Sequence, residues 1–581
     1  MQSPSGMTWH NRPGWKRNGI LLSSPMRHFS FQLPEPLRYD RTWMNHLYYG
    51  DNLHVLRDSI AAESVDLIYL DPPFNSKRDY NLLFKSPKGQ KSEAQIEAFK
   101  DSWTWGDQAE RELDELTRQK NTDVTQMMNA LIAFLGRNDM TAYLVMMSTR
   151  LIELRRVLKP TGSLYLHCDP TASHYLKIVL DAVFGKENYR TEISWKRQSA
   201  HNDAKQGRKQ YGNVRDVIFF YTKSSEWTWH WQYLPYDKNY TDKFYRHKEP
   251  ITARFYQLGD LTAPGGASPQ KRNPHYEFLG VTRYWRFTKA NMQKMYERGE
   301  IVQTSPGAVP RHKRYLDEAP GVSLQNSWDD VFSTSKHESL GYPTQKPLML
   351  LKRIIETSSN KGDVVLDPFC GCGTAVHAAQ MLNRQWIGID ITHLAISLIE
   401  KRLKDAFGSR SEYLVEGTPK DIEAARDLAA RDKYQFQYWA VSLVEAQPFQ
   451  GKKKGADGGI DGLKFFRDLD KKEVRKIIVS VKGGENVGPA MVKDLIATIA
   501  RDKAEIGLFL TLTEPTKAMS TEAVAAGFYE SASGKKYPRL QILTIASLLA
   551  GTARPEHPDF EPDLNFKKAK AEASGEQAEL L

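Results

Sequence analysis

The 581-residue chain has three cysteines, no long apolar run, and no acidic residue among its first 34 positions. Three cysteines, an odd number in so long a chain, exclude a disulfide framework and fit a reducing, cytoplasmic setting. The most apolar stretches, 506–512 and 542–550, fall well short of the roughly 18 residues of a membrane span, so no membrane partner is expected. The acid-free start, with its Arg, Lys, Ser, Pro and Gly, has the composition of an organellar transit peptide. A disordered leader over 1–40, or a true start at Met7 or Met26, accounts for it equally well. What is present is material for cores: 40% hydrophobic and 11% aromatic residues, which excludes a mainly disordered chain. The length fits about three or four domains.

The net charge of +11 is unevenly placed. Residues 191–290 carry 17 Lys+Arg against 9 Asp+Glu and 20 of the 63 aromatics, whereas 431–581 carry 23 against 21. A basic, aromatic-rich segment suits nucleic acid, because cations meet phosphates and rings stack on bases. A β-rich domain with a solvated basic face is the plainer alternative.

Apolar periodicity divides the rest. A strand at 47–50, a helix over 52–62 and a buried strand at 65–70 precede a polar, helix-prone insertion at 85–140. A helix from 143 to 158, a strand at 163–167 and a helix at 173–184 follow. The αβ rhythm breaks over 191–330 and resumes with a helix at 348–358, a strand at 364–366, a helix at 374–382 and a strand at 386–389. A third block, from 434 to 544, is again a mixture of helices and strands, and the chain from about 555 reads as a polar tail. Alternation of this kind predicts a doubly wound sheet.

Two motifs carry chemistry. Val364-Val-Leu-Asp367-Pro-Phe369-Cys-Gly371-Cys-Gly373-Thr374 is a strand, a glycine-rich turn and a helix start. Glycines let the backbone turn tightly beneath a ligand, and the first N–H groups of a helix suit an anion. Asp390, 23 residues after Asp367, ends the next strand, where a carboxylate can accept the two hydroxyls of a ribose. No Gly-Lys-Ser/Thr follows, which disfavours a triphosphate, and Cys370 and Cys372 are better packing residues than zinc ligands. The second motif, Asp71-Pro72-Pro73-Phe74, directly follows the buried strand at 65–70. Its prolines would hold a carboxylate, a carbonyl and an aromatic face in fixed relation, an arrangement suited to an exocyclic amine on a stacked heterocycle. A plain structural turn is the alternative.

Together these motifs resemble the DNA amino-methyltransferases that use S-adenosylmethionine. The catalytic motif lies before the cofactor motif with the basic module between them, as in the β class that includes type III modification subunits. Pro343-Thr344-Gln345-Lys346-Pro347 and Gly50-Asp51-Asn52 extend the match, which covers residues 45–405. The resemblance implies a Rossmann-like α/β methyltransferase sheet, with a catalytic half at 41–190, a target-recognition module at 191–335 and a cofactor half at 336–425. It implies that Asp367, Phe369, Gly371, Gly373 and Thr374 cradle the methionine end of the cofactor. By the same resemblance Asp390 holds the ribose, Asp51 lies near the adenine, and Thr344 and Lys346 close the pocket. Asp71, Pro72, Pro73 and Phe74 would then act on a base flipped out of double-stranded DNA. Asp at 71, rather than the Ser typical of N4-cytosine enzymes, favours N6-adenine; Phe74 stands where Tyr is commoner. In the module, Lys196, Arg197, Arg208, Lys209, Arg283 and Arg286 are candidate phosphate or guanine contacts.

The block at 434–545 resembles the Mrr-type restriction endonucleases of the PD-(D/E)xK fold, an α/β domain assigned here to 430–550 with the tail at 551–581. Asp461 and Lys482 match its pattern, with Asp461 as the expected ligand of Mg²⁺. Ser480 departs from it, standing where the family has Glu, Asp or Gln, and Glu445 is the nearest candidate for a second acid. The expected function is site-specific N6-adenine methylation in restriction–modification or phage defence. The rival readings are N4-cytosine methylation and a DNA-binding or sensing protein with an inactive nuclease-like domain. A homodimer and a separate motor or restriction subunit stay open as partners.

Overall fold

The computed structural model describes residues 44–73, 103–118, 122–198, 209, 211–263, 273–342, 344–449, 459–469, 473–558 and 568–572, and the backbone alone of 78–85 and 91–101. Its largest element is a nine-stranded sheet built from β1 (Asn45–Tyr49), β2 (Val65–Leu70), β3 (Leu158–Cys168), β4 (Tyr189–Lys196), β5 (Arg215–Thr222), β6 (Ser327–Trp328), β7 (Val364–Asp367), β8 (Gln385–Asp390) and β9 (Tyr413–Glu416). The order across it is β6-β4-β5-β3-β2-β7-β8-β1-β9. Every pairing is parallel except the two made by β5.

The strand order reverses direction between β2 and β7, which pair with Leu67 opposite Val365 and Ile68 opposite Leu366. A crevice forms at such a switch point, beyond the carboxyl ends of the strands. The loops after these two strands are the two sequence motifs, so neighbouring strands bring Asp71 and Asp367 to one place from opposite ends of the domain. Asp66 is the one residue of β2 that is not buried, and it is held there by Lys159 at 2.7 Å and by the Val364 N–H at 2.9 Å. Helices Asn52–Ser59, Asp139–Val157 and Ser173–Phe184 cover one face, and Leu348–Ser358, Thr374–Met381 and His393–Phe407 the other.

Three sequence expectations change. The segment 191–222, assigned to the recognition module, supplies most of β4 and all of β5; β5 is buried along most of its length, because Asp-Val-Ile-Phe-Phe-Tyr-Thr packs on both faces of the sheet. The inserted module thus narrows to the stretch between β5 and β6, with its own small core around Trp285, Phe278 and Met292. The polar stretch at 85–140 is not helical throughout, since Arg78–Lys85 and Lys91–Asp101 pair as an antiparallel hairpin; cross-strand pairing overrides helix propensity there. The helices Asp107–Arg118 and Thr122–Leu135 then pack Leu113, Leu116, Val124 and Met128 into the main core. Finally, residues 568–572 of the expected tail are docked: Glu572 contacts buried His377 at 3.3 Å, and its carbonyl accepts from Arg410 at 2.7 Å.

The C-terminal domain is a five-stranded sheet of Gln447–Pro448, Gly462–Arg467, Val474–Lys482, Ile506–Thr511 and Leu540–Thr544, in that order. The first two pairings are antiparallel and the last two parallel. Helices Lys433–Leu443 and Pro489–Arg501 pack on its two faces.

Candidate active site

A cleft of about 730 Å³ opens at the carboxyl ends of β2, β7 and β8, lined by Asp71, Pro72, Pro73, Asp367, Phe369 and Asp390 among others. Phe74 lies outside the described residues. Asp71 Oδ2 is paired with the Lys346 ammonium, which also donates to the Thr344 carbonyl at 3.3 Å. Lys346, expected at the pocket lid, is therefore the partner of Asp71. Among the described residues Asp71 Oδ1 is buried without a hydrogen-bond partner, which costs free energy unless a donor is supplied. Behind it lies fully buried His167, with Nδ1 3.7 Å from Oδ1, 3.0 Å from the Tyr69 hydroxyl, and Nε2 3.2 Å from Asp216. With Nε2 protonated the ring donates to Asp216 and accepts from Tyr69. Burial pushes the Asp216 carboxyl up, but the His167 hydrogen bond and the Arg197 charge outweigh it and hold it below the usual range.

The glycine-rich loop leaves β7 with Asp367, whose Oδ1 accepts the Phe369 N–H at 3.1 Å. Burial drives that carboxyl well above the usual range; the Phe369 N–H pulls it partly back, and nearby Asp71 adds to the rise. Gly371 and Gly373 have φ of +50° and +73°. A Cβ on Gly371 would come 3.3 Å from the Tyr342 ring, and one on Gly373 would come 2.7 Å from Ile399, so the loop is shaped by glycine at both places. Thr374 then starts its helix. Buried Arg402 donates to the Thr374 hydroxyl and the Cys372 carbonyl, both at 3.1 Å. Arg402 thus braces the loop from behind, and the helix N-terminus at Thr374 makes this end of the cleft suited to a carboxylate.

Asp390 accepts from the Gly371 N–H at 2.9 Å through Oδ2, and from Thr392 N–H and hydroxyl at 2.9 and 2.8 Å through Oδ1. One oxygen is thus already saturated, and the remaining accepting capacity lies on Oδ2, not on both oxygens as expected. Burial raises this carboxyl to about 6, even with those donors opposing. Asp51 caps its helix through the Leu53 N–H at 2.8 Å and pairs with Arg150 at 3.0 Å. Arg150 also binds Asn52 Oδ1 at 2.7 Å, and Asn52 in turn donates to the Pro368 carbonyl at 2.8 Å, tying the acidic motif to the glycine loop.

The sequence reading missed Arg150, His167, Tyr342 and Arg402. Two of them carried a signal: Arg150 and Arg402 sit in apolar helical stripes where a solvated cation has no place.

A methyl donor with a carboxylate, a ribose and a purine fits these groups: the helix start at Thr374, Asp390 Oδ2, and the Asp51 wall. If Asp390 must be ionised to accept a ribose hydroxyl, affinity for S-adenosylhomocysteine falls about fivefold between pH 6 and pH 5 and is nearly level above pH 7. Calorimetric titration across that range checks it, and Asp390→Asn should be weaker and flat with pH.

The basic candidates divide. Arg197 is turned to Asp216, with Nε 3.4 Å from Oδ1. Lys196 lies in β4 opposite Arg215. Lys209, Arg283 and Arg286 are exposed, and Arg286 donates to the Thr262 carbonyl at 2.9 Å. Arg208 lies outside the described residues.

In the C-terminal domain Asp461 accepts the Val481 N–H at 2.6 Å and the Ser480 hydroxyl at 3.3 Å through one oxygen, and Gln437 at 2.5 Å through the other. This puts it beside the end of the strand that carries Lys482. Glu445 is not brought to it. The helix ends at Leu443, and Glu445, at φ +53°, turns outward to lie 3.8 Å from Lys464. Among the described residues no group of three or more His, Cys, Asp or Glu side chains could hold a metal. Asp461, with Ser480 on the neighbouring strand and Glu445 turned away, offers Mg²⁺ a single carboxylate among the described residues, a poor fit.

Among the described residues no helix is long and apolar enough to cross a membrane. Residues 428–530 match the restriction endonuclease family, so the chain carries a domain of that kind. The type II methyltransferase M.EcaI of Enterobacter cloacae is 30% identical over 56% of this chain and 72% of its own. The StyLTI Mod subunit of Salmonella typhimurium, a type III restriction–modification enzyme, is 28% identical over 58% of this chain and half of its own length. The DNA adenine methyltransferase YhdJ of Escherichia coli K12 is 25% identical over 66% of this chain and 90% of its own. Residues 65–401, more than half of the chain and with both motif loops inside them, match the DNA methylase family, and the chain belongs to it.

Proposed function

We propose that this DNA methyltransferase acts on the exocyclic N6 of adenine, using S-adenosylmethionine. The observation that carries the reading is Asp71 Oδ1, a buried acceptor with no hydrogen-bond partner among the described residues, on the rim shared by the two motif loops. An exocyclic amine supplies a donor. Lys346 on the other oxygen fixes Asp71 in rotamer, and Pro72 and Pro73 stiffen the turn that carries it. The bound cofactor supplies an electrophilic methyl on its sulfonium. Everything else is positioning: the cleft excludes water, Asp71 draws on the amine N–H, and the base must leave the duplex to reach it. Asp rather than Ser at 71 supports adenine, as does similarity to YhdJ, named as an adenine methyltransferase.

The test is mass analysis of nucleosides from DNA methylated by the pure protein. N6-methyladenosine is expected, and N4-methylcytosine would replace this reading. The basic module between β5 and β6 would bind the target duplex, in the cytoplasm and in a restriction–modification setting. A second copy, or a separate motor or restriction subunit as for the similar Mod subunit, is part of the same proposal. For the C-terminal domain, Ser480 in place of an acidic or Gln ligand and Glu445 turned away from Asp461 favour DNA holding over metal-dependent cleavage.

A further inference from the structure

The cofactor cleft has a wall that does not belong to the methyltransferase fold. Asp432, Tyr434, Gln435 and Tyr438 line it together with Asp390 and Ile391, and these four sit at the start of the helix Lys433–Leu443, inside the restriction-endonuclease match. We propose that this helix forms the outer side of the cofactor site, so that the adenosyl end of S-adenosylmethionine is held between the methyltransferase sheet and the C-terminal domain. The inference rests on reading the cleft as the cofactor site.

The helix is divided by residue spacing into three faces. At 100° per residue, positions 434, 435 and 438 fall within about one third of the circumference. Phe436, Trp439 and Ala440 occupy the next sector and are buried in the core of the C-terminal domain. Gln437 takes the remaining sector and donates to Asp461 Oδ1 at 2.5 Å. The apolar sector anchors the helix, so the first sector is presented to the cleft as a fixed surface. Its start is set as well. The Asp432 carboxylate caps it by accepting the Tyr434 and Gln435 N–H groups, each at 3.0 Å. Gln435 Oε1 accepts the His393 N–H at 3.3 Å, and the His393 ring stacks on Tyr49 at 3.6 Å, which joins the helix to the ends of β1 and β8.

The chemistry of this wall suits a purine. Ile391, next to Asp390, is 58% exposed and Tyr434 is 61% exposed, although both line a cleft. Large apolar side chains left open in a concave site offer flat surface to a ring. With its oxygen committed to His393, the Gln435 amide has its NH₂ to donate to a ring nitrogen. Asp390 Oδ2, the residue immediately before Ile391, fixes where the attached ribose lies. Gln437 gives the arrangement a consequence: the helix that would feel the cofactor also carries the side chain that holds Asp461.

The experiment uses the full-length protein and S-adenosylhomocysteine. Calorimetric titration should show Tyr434→Ala and Gln435→Ala each binding about 5–20-fold more weakly than wild type. Amide exchange in 433–443 of the unaltered protein should slow when the ligand is added, a readout that does not depend on any variant folding. Binding by both variants within twofold of wild type, with no protection in 433–443, overturns the inference and leaves the site intact. If wild type fails to bind the ligand at millimolar concentration, the cofactor reading falls first and this inference with it.

Discussion

Asp71→Ala is expected to lower kcat/KM for methyl transfer to DNA by about 10²–10³-fold or more while leaving S-adenosylhomocysteine binding within about threefold. The split follows from geometry. In the proposed reading Asp71 meets the incoming amine through Oδ1, and among the described residues no hydrogen bond depends on that oxygen. Its other oxygen holds Lys346, and that contact makes the alanine variant doubly damaging. Without the carboxylate, the Lys346 ammonium loses that counter-charge in a largely buried site. A positive charge there opposes approach of a sulfonium-bearing cofactor, an effect that S-adenosylhomocysteine, which lacks that charge, does not report. Asp71→Asn keeps one accepting oxygen and should retain more activity than alanine, but without a carboxylate charge opposite Lys346. Transfer of labelled methyl to DNA, with ligand titration in parallel, gives both numbers. Alanine activity within tenfold of wild type would remove Asp71 from the reacting centre.

The parts of the site that were legible in the sequence are those with local punctuation. Apolar runs ending in Asp-Pro-Pro or in a glycine turn mark strand ends, and β2 and β7 do carry Asp71 and Asp367 there. The contacts that make these residues a site are not local. Lys346 reaches Asp71 across 275 positions, and the acceptor of the Asn52 amide lies 316 positions away. No periodicity encodes such pairs. Where a window was averaged, the reading failed differently: the charge between 191 and 290 hid the apolar β5 inside a basic stretch. Glu445 failed through one backbone turn, since a helix two residues longer would have kept its carboxylate on the helix. The restriction-endonuclease block was read from its strands, yet the contact of its first helix with the cofactor cleft depends on how two domains pack.

Arg150 supports the last prediction, Arg150→Leu, which should cost about 3–5 kcal/mol of stability in the methyltransferase domain. Arg150 is 5% exposed and contacts residues of three helices, its own included. It reaches Asp51 at the head of the first helix, the side chain of the neighbouring Asn52, Glu112 at 3.6 Å, and the Met146 carbonyl at 3.1 Å. A leucine fills much of the volume, so cavity formation is the smaller part of the loss. The larger part is what stays behind: Glu112 is buried and would keep a carboxylate without its cation, while Asn52 loses the donor that orients it. Because Asn52 carries the Pro368 carbonyl, the damage extends to the glycine loop, and ligand binding should weaken along with stability. Urea unfolding followed by tryptophan fluorescence, with and without S-adenosylhomocysteine, measures both. Glu112→Gln in the same background should recover part of the loss, since it removes the stranded charge while keeping the shape. If the double variant is no more stable than Arg150→Leu alone, the cost lies in packing and not in the buried charge.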